Sequence, residues 1–424
     1  MFLDNYDAAA LGFVLPILAG LLKLPSASVG FLASSVFIGM FFGSLLVSRL
    51  SDMIGRKKML ILSVLIFSLA AIGVAFSWDY NSLLAIRILQ GFGIGAVIPI
   101  CIVYVSEISP VKRRAILVAL TTVFYQTGAT LAGPISNLVI PLLTWRGVFI
   151  VGGTTGFILI LLTCFTIPES VRQLVKLGKL GEAERVVRRV SSVDPSQMPS
   201  KPEITSATAS MGKGKLRDLI SGKYAVYTSG VCFSALIYGI VFSVLLTMLT
   251  MVFVEGGIPY NVSIIFTTVV LSAGILGAFL SGLFIEWFGR RRTMYTSYTL
   301  LGTFTLLVSV GLFLKQMYMV VLFGALTFLV IGIAFVSLST YVTEIYPTNI
   351  RNTGHGTFLA LVRLGGIIGP TALGILLQMP GYFFVLEGFL LLFVAVVLFF
   401  LTKVETRGKS LERITQELSS SPIT

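Results

Sequence analysis

Apolar runs of about 20 residues recur along the whole chain, each long enough to cross a bilayer core of about 30 Å as a helix. Charged residues make up only 12% of the sequence and hydrophobic ones 56%, whereas soluble domains carry about 25% charged residues. The polypeptide is therefore expected to live in lipid, where backbone N–H and C=O groups must be paired internally. Helices meet that demand segment by segment. The runs place helices near 2–22, 30–49, 59–77, 82–106, 115–139, 148–167, 224–252, 262–286, 294–313, 317–343, 353–378 and 382–402. The expectation is an all-α membrane protein with twelve transmembrane helices.

Charge then sets the sidedness. The segments after even-numbered predicted helices, with the tail, hold 26 of the 31 Lys and Arg. The other side has only Lys23, Arg146 and Lys315. Positive residues stay cytoplasmic, so both termini are expected inside the cell membrane. The net charge of +13 thus reports topology and attraction to anionic lipid rather than nucleic-acid binding. Cys101, Cys164 and Cys232 fall within predicted helices at no metal-ligand spacing and read as small buried hydrophobes. The first apolar stretch lacks a basic start and contains two aspartates, so it is not a cleavable signal peptide. No phosphate-binding loop is present.

The chain also repeats itself. Ser48 to Lys58, with an acid at Asp52, a glycine at Gly55 and a basic cluster from Arg56, recurs degenerately as Gly282 to Arg292, with Glu286, Gly289 and Arg290. Glu107 to Pro110 with Arg114 recurs as Glu344 to Pro347 with Arg351, Gly133-Pro134 as Gly369-Pro370, and Glu169 as Glu405. All four landmarks sit 234–237 residues apart, the mark of a duplicated architecture. Residues 168–223 break the apolar pattern between the halves. Their first part, Pro168 to Val190, reads as amphipathic surface helices, and Ser191 to Gly214 as a linker. The expected division is 1–167, 168–223, 224–402 and a tail at 403–424.

These motifs carry a family resemblance over essentially the whole length. Arg87-Ile88-Leu89-Gln90-Gly91, Pro168-Glu169-Ser170-Val171-Arg172, Glu344 to Gly354 and Glu405-Thr406-Arg407-Gly408 resemble the major facilitator superfamily. Within it, the chain is similar to the branch joining sugar porters, organic-ion transporters and aromatic-acid/proton symporters. The resemblance implies the major facilitator fold, two pseudo-symmetric six-helix bundles that rock about a central site. It implies no enzyme activity and no cofactor, with the proton gradient as energy source. The implied partners are a small-molecule substrate, protons and the lipid bilayer, with the chain acting as a monomer.

At each repeated motif a helix must end, turn tightly and restart, which glycine permits. Asp52 with Arg114 and Glu107, and Glu286 with Arg351 and Glu344, are expected to form charge networks clamping a cytoplasmic gate together with Arg56 and Arg290. The alternative is that these charges serve topology alone. Gly128 and Gly133-Pro134, with Gly365-Gly366 and Gly369-Pro370, suit close helix approach and bending.

Aligning the halves exposes charges present in only one of them. Arg363 aligns with Thr127, Arg87 with Gly324, and Asp4 and Asp7 fall near Ile240 and Ser243. An ionised residue at mid-membrane costs about 2.5–3.5 kcal/mol on insertion scales, so it faces a partner or a wet cavity. Asp7 and Arg87 suit each other. A carboxylate held against Arg⁺ stays ionised, and one parted from it takes up a proton more readily. Asp4, Asp7 and Arg87 are therefore candidates for proton coupling, against the alternative of a permanent structural pair. Asp4-Asn5-Tyr6-Asp7 resembles the Asp-Gly-Tyr-Asp signature of aromatic-acid/proton symporters, with Asn5 in place of Gly. That resemblance makes the two acids and Arg87 functional residues.

Arg363 has no acidic neighbour on its own helix and suits a substrate carboxylate through bidentate hydrogen bonds. The alternative is that it pairs with Asp4 and Asp7. Tyr6, Gln90, Gln126, Tyr238 and Tyr341, with Tyr104 and Tyr125, are candidates for further substrate contacts or for packing. His355, the single histidine, reads as an interfacial polar residue. Sixteen residues from Asp7 to Lys23 span only about 24 Å, so either the first helix is short or the chain's start lies upstream. The expected function is proton-coupled symport of a small organic anion, an aromatic or other carboxylate. Rival readings are a sugar or polyol symporter, opposed by the lack of paired glutamines from Val231 to Met251, and a multidrug/proton antiporter, opposed by Arg363.

Overall fold

A computed structural model describes residues 1–108, 114–176, 178–190, 219, 224–346, 350–402 and 405–407. The expected linker from Ser191 to Gly214 lies outside them. Among the described residues the elements are helices: α1 (Phe2–Leu21), α2 (Ser26–Ile54), α3 (Arg56–Ala75), α4 (Tyr80–Gly95), α5 (Val97–Ile108), α6 (Arg114–Thr166), α7 (Val171–Lys176), α8 (Leu180–Val190), α9 (Tyr224–Thr247), α10 (Leu249–Glu255), α11 (Tyr260–Phe288), α12 (Arg290–Phe313), α13 (Met317–Ile345), α14 (Arg351–Ile375) and α15 (Pro380–Leu401).

Among the described residues, eleven helical stretches are long and apolar enough to cross a membrane. One of them, within α6, contains both the fifth and sixth expected spans. The two meet without a loop at Thr144, whose φ of 59° and ψ of −173° interrupt the helix. Two other expected helices are each divided in two. The fourth breaks at Ala96 into α4 and α5, and the seventh at Met248 into α9 and α10. Neither break shows in the apolar pattern, because burial continues through both sites.

Thr144 adopts a backbone conformation that L side chains disfavour by about 1–3 kcal/mol. Thr144→Gly is expected to release part of that cost, a net gain of about 1 kcal/mol after the extra entropy of glycine in the unfolded chain. The melting midpoint of the purified protein would rise by a degree or two. A lower midpoint would mean that Thr144's contacts outweigh its strain.

α1 to α6 form one bundle and α9 to α15 the other, with α7 and α8 between them in sequence. The expected turn glycines behave as their motif requires. Gly55 at φ 122° ends α2 and begins α3, and Gly289 at φ 84° does the same between α11 and α12. Each restart is capped from afar. One Glu169 oxygen accepts from the backbone N–H of Arg56 (3.0 Å) and Lys57 (3.1 Å). Glu405 accepts from those of Arg290 (2.9 Å) and Arg291 (3.1 Å). A carboxylate at a helix N-terminus satisfies orphan N–H groups and meets the positive end of the helix dipole.

The bundles meet along α2 and α14, and along α6 and α11. Far from the glycine turns, Gly30 lies against the Pro370 carbonyl and Gly374, leaving no room for a Cβ on either glycine. Ser34 Oγ donates to the Ile367 carbonyl at 2.7 Å and lies 2.8 Å from Thr371 Oγ1. Tyr260 donates to the Phe13 carbonyl at 2.8 Å across the same end. This end of the molecule is closed. Cys101 and Cys232 are half-buried, whereas Cys164 departs from expectation and lies exposed on the outer face of α6.

Candidate functional site

α1 places Asp4 and Asp7 three residues apart, hence on one face of the helix. Both are buried. Asp7 and Arg87 form an ion pair at 2.7 Å with essentially no exposure of either. Gln90, one turn along α4, closes the arrangement: Arg87 Nη1 donates to its Oε1 and its Nε2 donates to Asp7 Oδ1, each at 2.7 Å. Arg87 also lies 5.5 Å from the Phe149 ring centroid, a cation–π contact. Its Nε and Nη2 have no hydrogen-bond partner among the described residues. The sequence-expected pair thus exists, as a three-residue ring joining α1 to α4.

Asp4 is placed differently. Its carboxylate is fully buried and, among the described residues, neither oxygen accepts a hydrogen bond and the nearest side-chain cation is Arg363 Nη2 at 3.9 Å. That approach is too long for a hydrogen bond. Arg363 stands midway along α14 and reaches across to the other bundle, where Nη1 lies 3.0 Å from the sulfur of Met40. Arg363 therefore adopts the weaker of its two expected pairings, with Asp4 and loosely. Asn5, the departure from the signature, donates to the Tyr125 carbonyl and to Gln126 Oε1, both at 3.1 Å, tying α1 to α6.

Beside Arg363 opens a cavity between the bundles, with about 1000 Å³ of empty space when the part open to solvent is counted. Its lining includes Ser44, Ile102, Thr122, Ser339 and His355, all in the ends of helices nearest the glycine turns. It opens toward that end, opposite the closed seam at Gly30. Its wall is aromatic. Tyr125 and Tyr238 both stack on Phe242, with centroids 6.4 and 6.1 Å apart, and Tyr238 meets Phe335 at 5.6 Å.

Of the substrate-contact candidates, Arg363, Gln126, Tyr125 and Tyr238 line this cavity. Tyr6 does not. It donates to the Val148 carbonyl at 3.1 Å inside the first bundle, and Gln90 belongs to the Asp7 ring. Tyr341 is fully buried away from the lining with its hydroxyl unpaired, and Tyr104 donates to the Pro168 carbonyl at 2.6 Å. His355 lines the cavity wall.

The expected gate network in the second half is rearranged. Glu344 pairs with Arg290, through a hydrogen bond from Nη2 at 3.0 Å and contacts from Nε at 3.2 and 3.3 Å. Glu286 is exposed and forms no ion pair among the described residues. Arg351 Nε reaches the Tyr346 carbonyl, at 3.4 Å, and forms no ion pair among the described residues. The physical reason is geometric. Gly289 turns the chain so that the first residue of α12, rather than the last acid of α11, faces the end of α13. In the first half, the side chains of Asp52, Glu107 and Arg114 lie outside the described residues, so that network has no counterpart to compare.

Two features escaped the sequence reading. The capping roles of Glu169 and Glu405 were visible only as a repeat, without their targets. Glu387 on α15 is a further buried acid with neither oxygen hydrogen-bonded among the described residues. It aligns near Val151 at the repeat offset, so the comparison that exposed Asp4 and Arg363 could have found it.

Comparison with known proteins places this geometry. A family model described as sugar (and other) transporter matches residues 2–418. The 4-hydroxybenzoate transporter PcaK of Pseudomonas aeruginosa is 28% identical, over 88% of this chain and 84% of that one. The niacin transporter NiaP of Acinetobacter baylyi is 30% identical, over 97% of this chain and 93% of that one. Among solved structures, the inward-open xylose transporter XylE from E. coli aligns with a TM-score of 0.79 at 18% identity, covering 98% of this chain and 97% of that one.

Proposed function

The chain belongs to the sugar (and other) transporter family of the major facilitator superfamily, multi-pass membrane transporters rather than enzymes, and we propose that it carries a small aromatic carboxylate together with a proton. One observation carries the reading: a buried Asp4, with no hydrogen bond among the described residues, stands 3.9 Å from Arg363, which lines an aromatic cavity. Asp4 and a substrate carboxylate compete for Arg363. A proton on Asp4 removes its claim, and the substrate carboxylate takes both guanidinium N–H groups. Substrate and proton therefore bind together, which is the requirement for symport.

The aromatic wall favours a flat ring through stacking. Two relatives are named for such cargo, 4-hydroxybenzoate and niacin, both small aromatic acids. A sugar offers no anion for Arg363, and a cationic drug would be repelled by it. The basic segments favour an orientation with both termini in the cytoplasm, so the open cavity faces the cytoplasm and the Gly30 seam the outside. The chain acts as a monomer, each bundle supplying one member of the Asp4–Arg363 pair.

Uptake of radiolabelled benzoates into proteoliposomes tests the proposal. With the interior made alkaline, wild-type protein should concentrate the acid several-fold above the level reached without a gradient. Equal uptake in the two conditions would exclude proton coupling.

A further inference from the structure

His355 lines the same cavity as Arg363, yet substrate capture at Arg363 leaves it unused. Its Nε2 lies 2.9 Å from Ser339 Oγ, which also lines the cavity, and its ring rests 5.7 Å from that of Phe358. One ring nitrogen is committed to Ser339. The other, Nδ1, has no hydrogen-bond partner among the described residues. The cavity therefore has a cationic end and a neutral polar end.

The spacing of those ends is informative. His355 and Arg363 are eight residues apart on α14, about 12 Å along the helix axis. Leu359 and Val362 line the wall between them, and Tyr238 and Phe335 complete an apolar waist. A benzoate with a hydroxyl para to its carboxylate carries its two polar groups at opposite ends of a flat ring, so that one can face Arg363 and the other His355 across this waist.

We propose that His355, held by Ser339, is a specificity-determining residue that selects aromatic carboxylates bearing a hydroxyl across the ring from the carboxylate. The inference rests on the aromatic-acid reading above. An acid without that hydroxyl strips water from His355 and Ser339 on binding and returns no hydrogen bond. A site built to bond a substrate hydroxyl discriminates against the analogue that lacks it for this reason. A hydroxyl beside the carboxylate cannot reach His355 while the carboxylate stays on Arg363.

Calorimetric titration of the purified protein with 4-hydroxybenzoate, benzoate and 2-hydroxybenzoate provides the test. The wild type is expected to bind 4-hydroxybenzoate about three- to tenfold more tightly than either comparator. In His355→Phe, which keeps a ring at the position, that ratio should fall to about one. Ser339→Ala should lower it in the same direction, and carries the test should His355→Phe fail to fold. A wild-type ratio near one, or a ratio unchanged in the folded variants, overturns the inference and leaves the aromatic-acid reading standing. Absence of binding by all three acids overturns both together.

Discussion

Arg363→Ala is expected to abolish carboxylate transport. Arg363 is the one arginine or lysine side chain lining the cavity among the described residues, and it is only 12% exposed. Truncating one partner of a buried, hydrogen-bonded charge pair costs about 2–5 kcal/mol, on the order of thirty-fold to several-thousand-fold in affinity. The variant should still fold, because Arg363 approaches Asp4 only at 3.9 Å and otherwise meets Met40 and the Tyr125 hydroxyl at the cavity wall, among the described residues. Equilibrium binding of a benzoate, measured beside a melting curve, separates loss of affinity from loss of structure. Arg363→Lys keeps the charge but not the planar fork, so it should recover part of the affinity. Wild-type affinity in folded Arg363→Ala would remove the foundation of the anion reading.

Asp7→Asn should behave differently, as a lesion of structure as well as of transport. Arg87 would stay fully buried with neutral amide oxygens as its acceptors and no negative charge to compensate its own. Breaking a buried ion pair from one side costs about 3–5 kcal/mol, because it strands the other charge. The melting midpoint should fall by several degrees and concentrative uptake should disappear. A double variant, Asp7→Leu with Arg87→Met, distinguishes two roles for the pair. Replacing both charges by apolar side chains of similar volume restores stability in many proteins. A stable double variant that cannot concentrate substrate would place Asp7 and Arg87 in the coupling machinery. A stable one that still concentrates it would reduce the pair to scaffolding.

The sequence revealed the spans and the repeat because both are written in one dimension: length of apolar run, and spacing of landmarks. It also revealed the Asp7–Arg87 pair, since two unrepeated opposite charges in lipid have few other solutions. What it could not reveal was register between helices. Glu344 prefers Arg290 to Arg351 because of where the Gly289 turn delivers the start of α12. His355 lies close enough to a helix end that uncertainty of a few residues decides between interface and cavity. The breaks at Ala96, Thr144 and Met248 leave no mark in hydropathy, since apolar residues continue across all three. Asp4 was found as a charge, but its 3.9 Å separation from Arg363, on which the proposed coupling turns, depends on how the two bundles dock.

The caps made by Glu169 and Glu405 bear on how the protein is born. Glu169 follows Arg56 by 113 residues, and Glu405 follows Arg290 by 115. A ribosome delivers α3 and α12 to the membrane long before it delivers the carboxylate that completes each of them. Until then their first N–H groups must be served by water or lipid headgroups. Each half is thus sealed by an acid made after its last membrane helix, and a chain truncated before Glu169 or Glu405 would reach the membrane with that half's early helices present but unfastened.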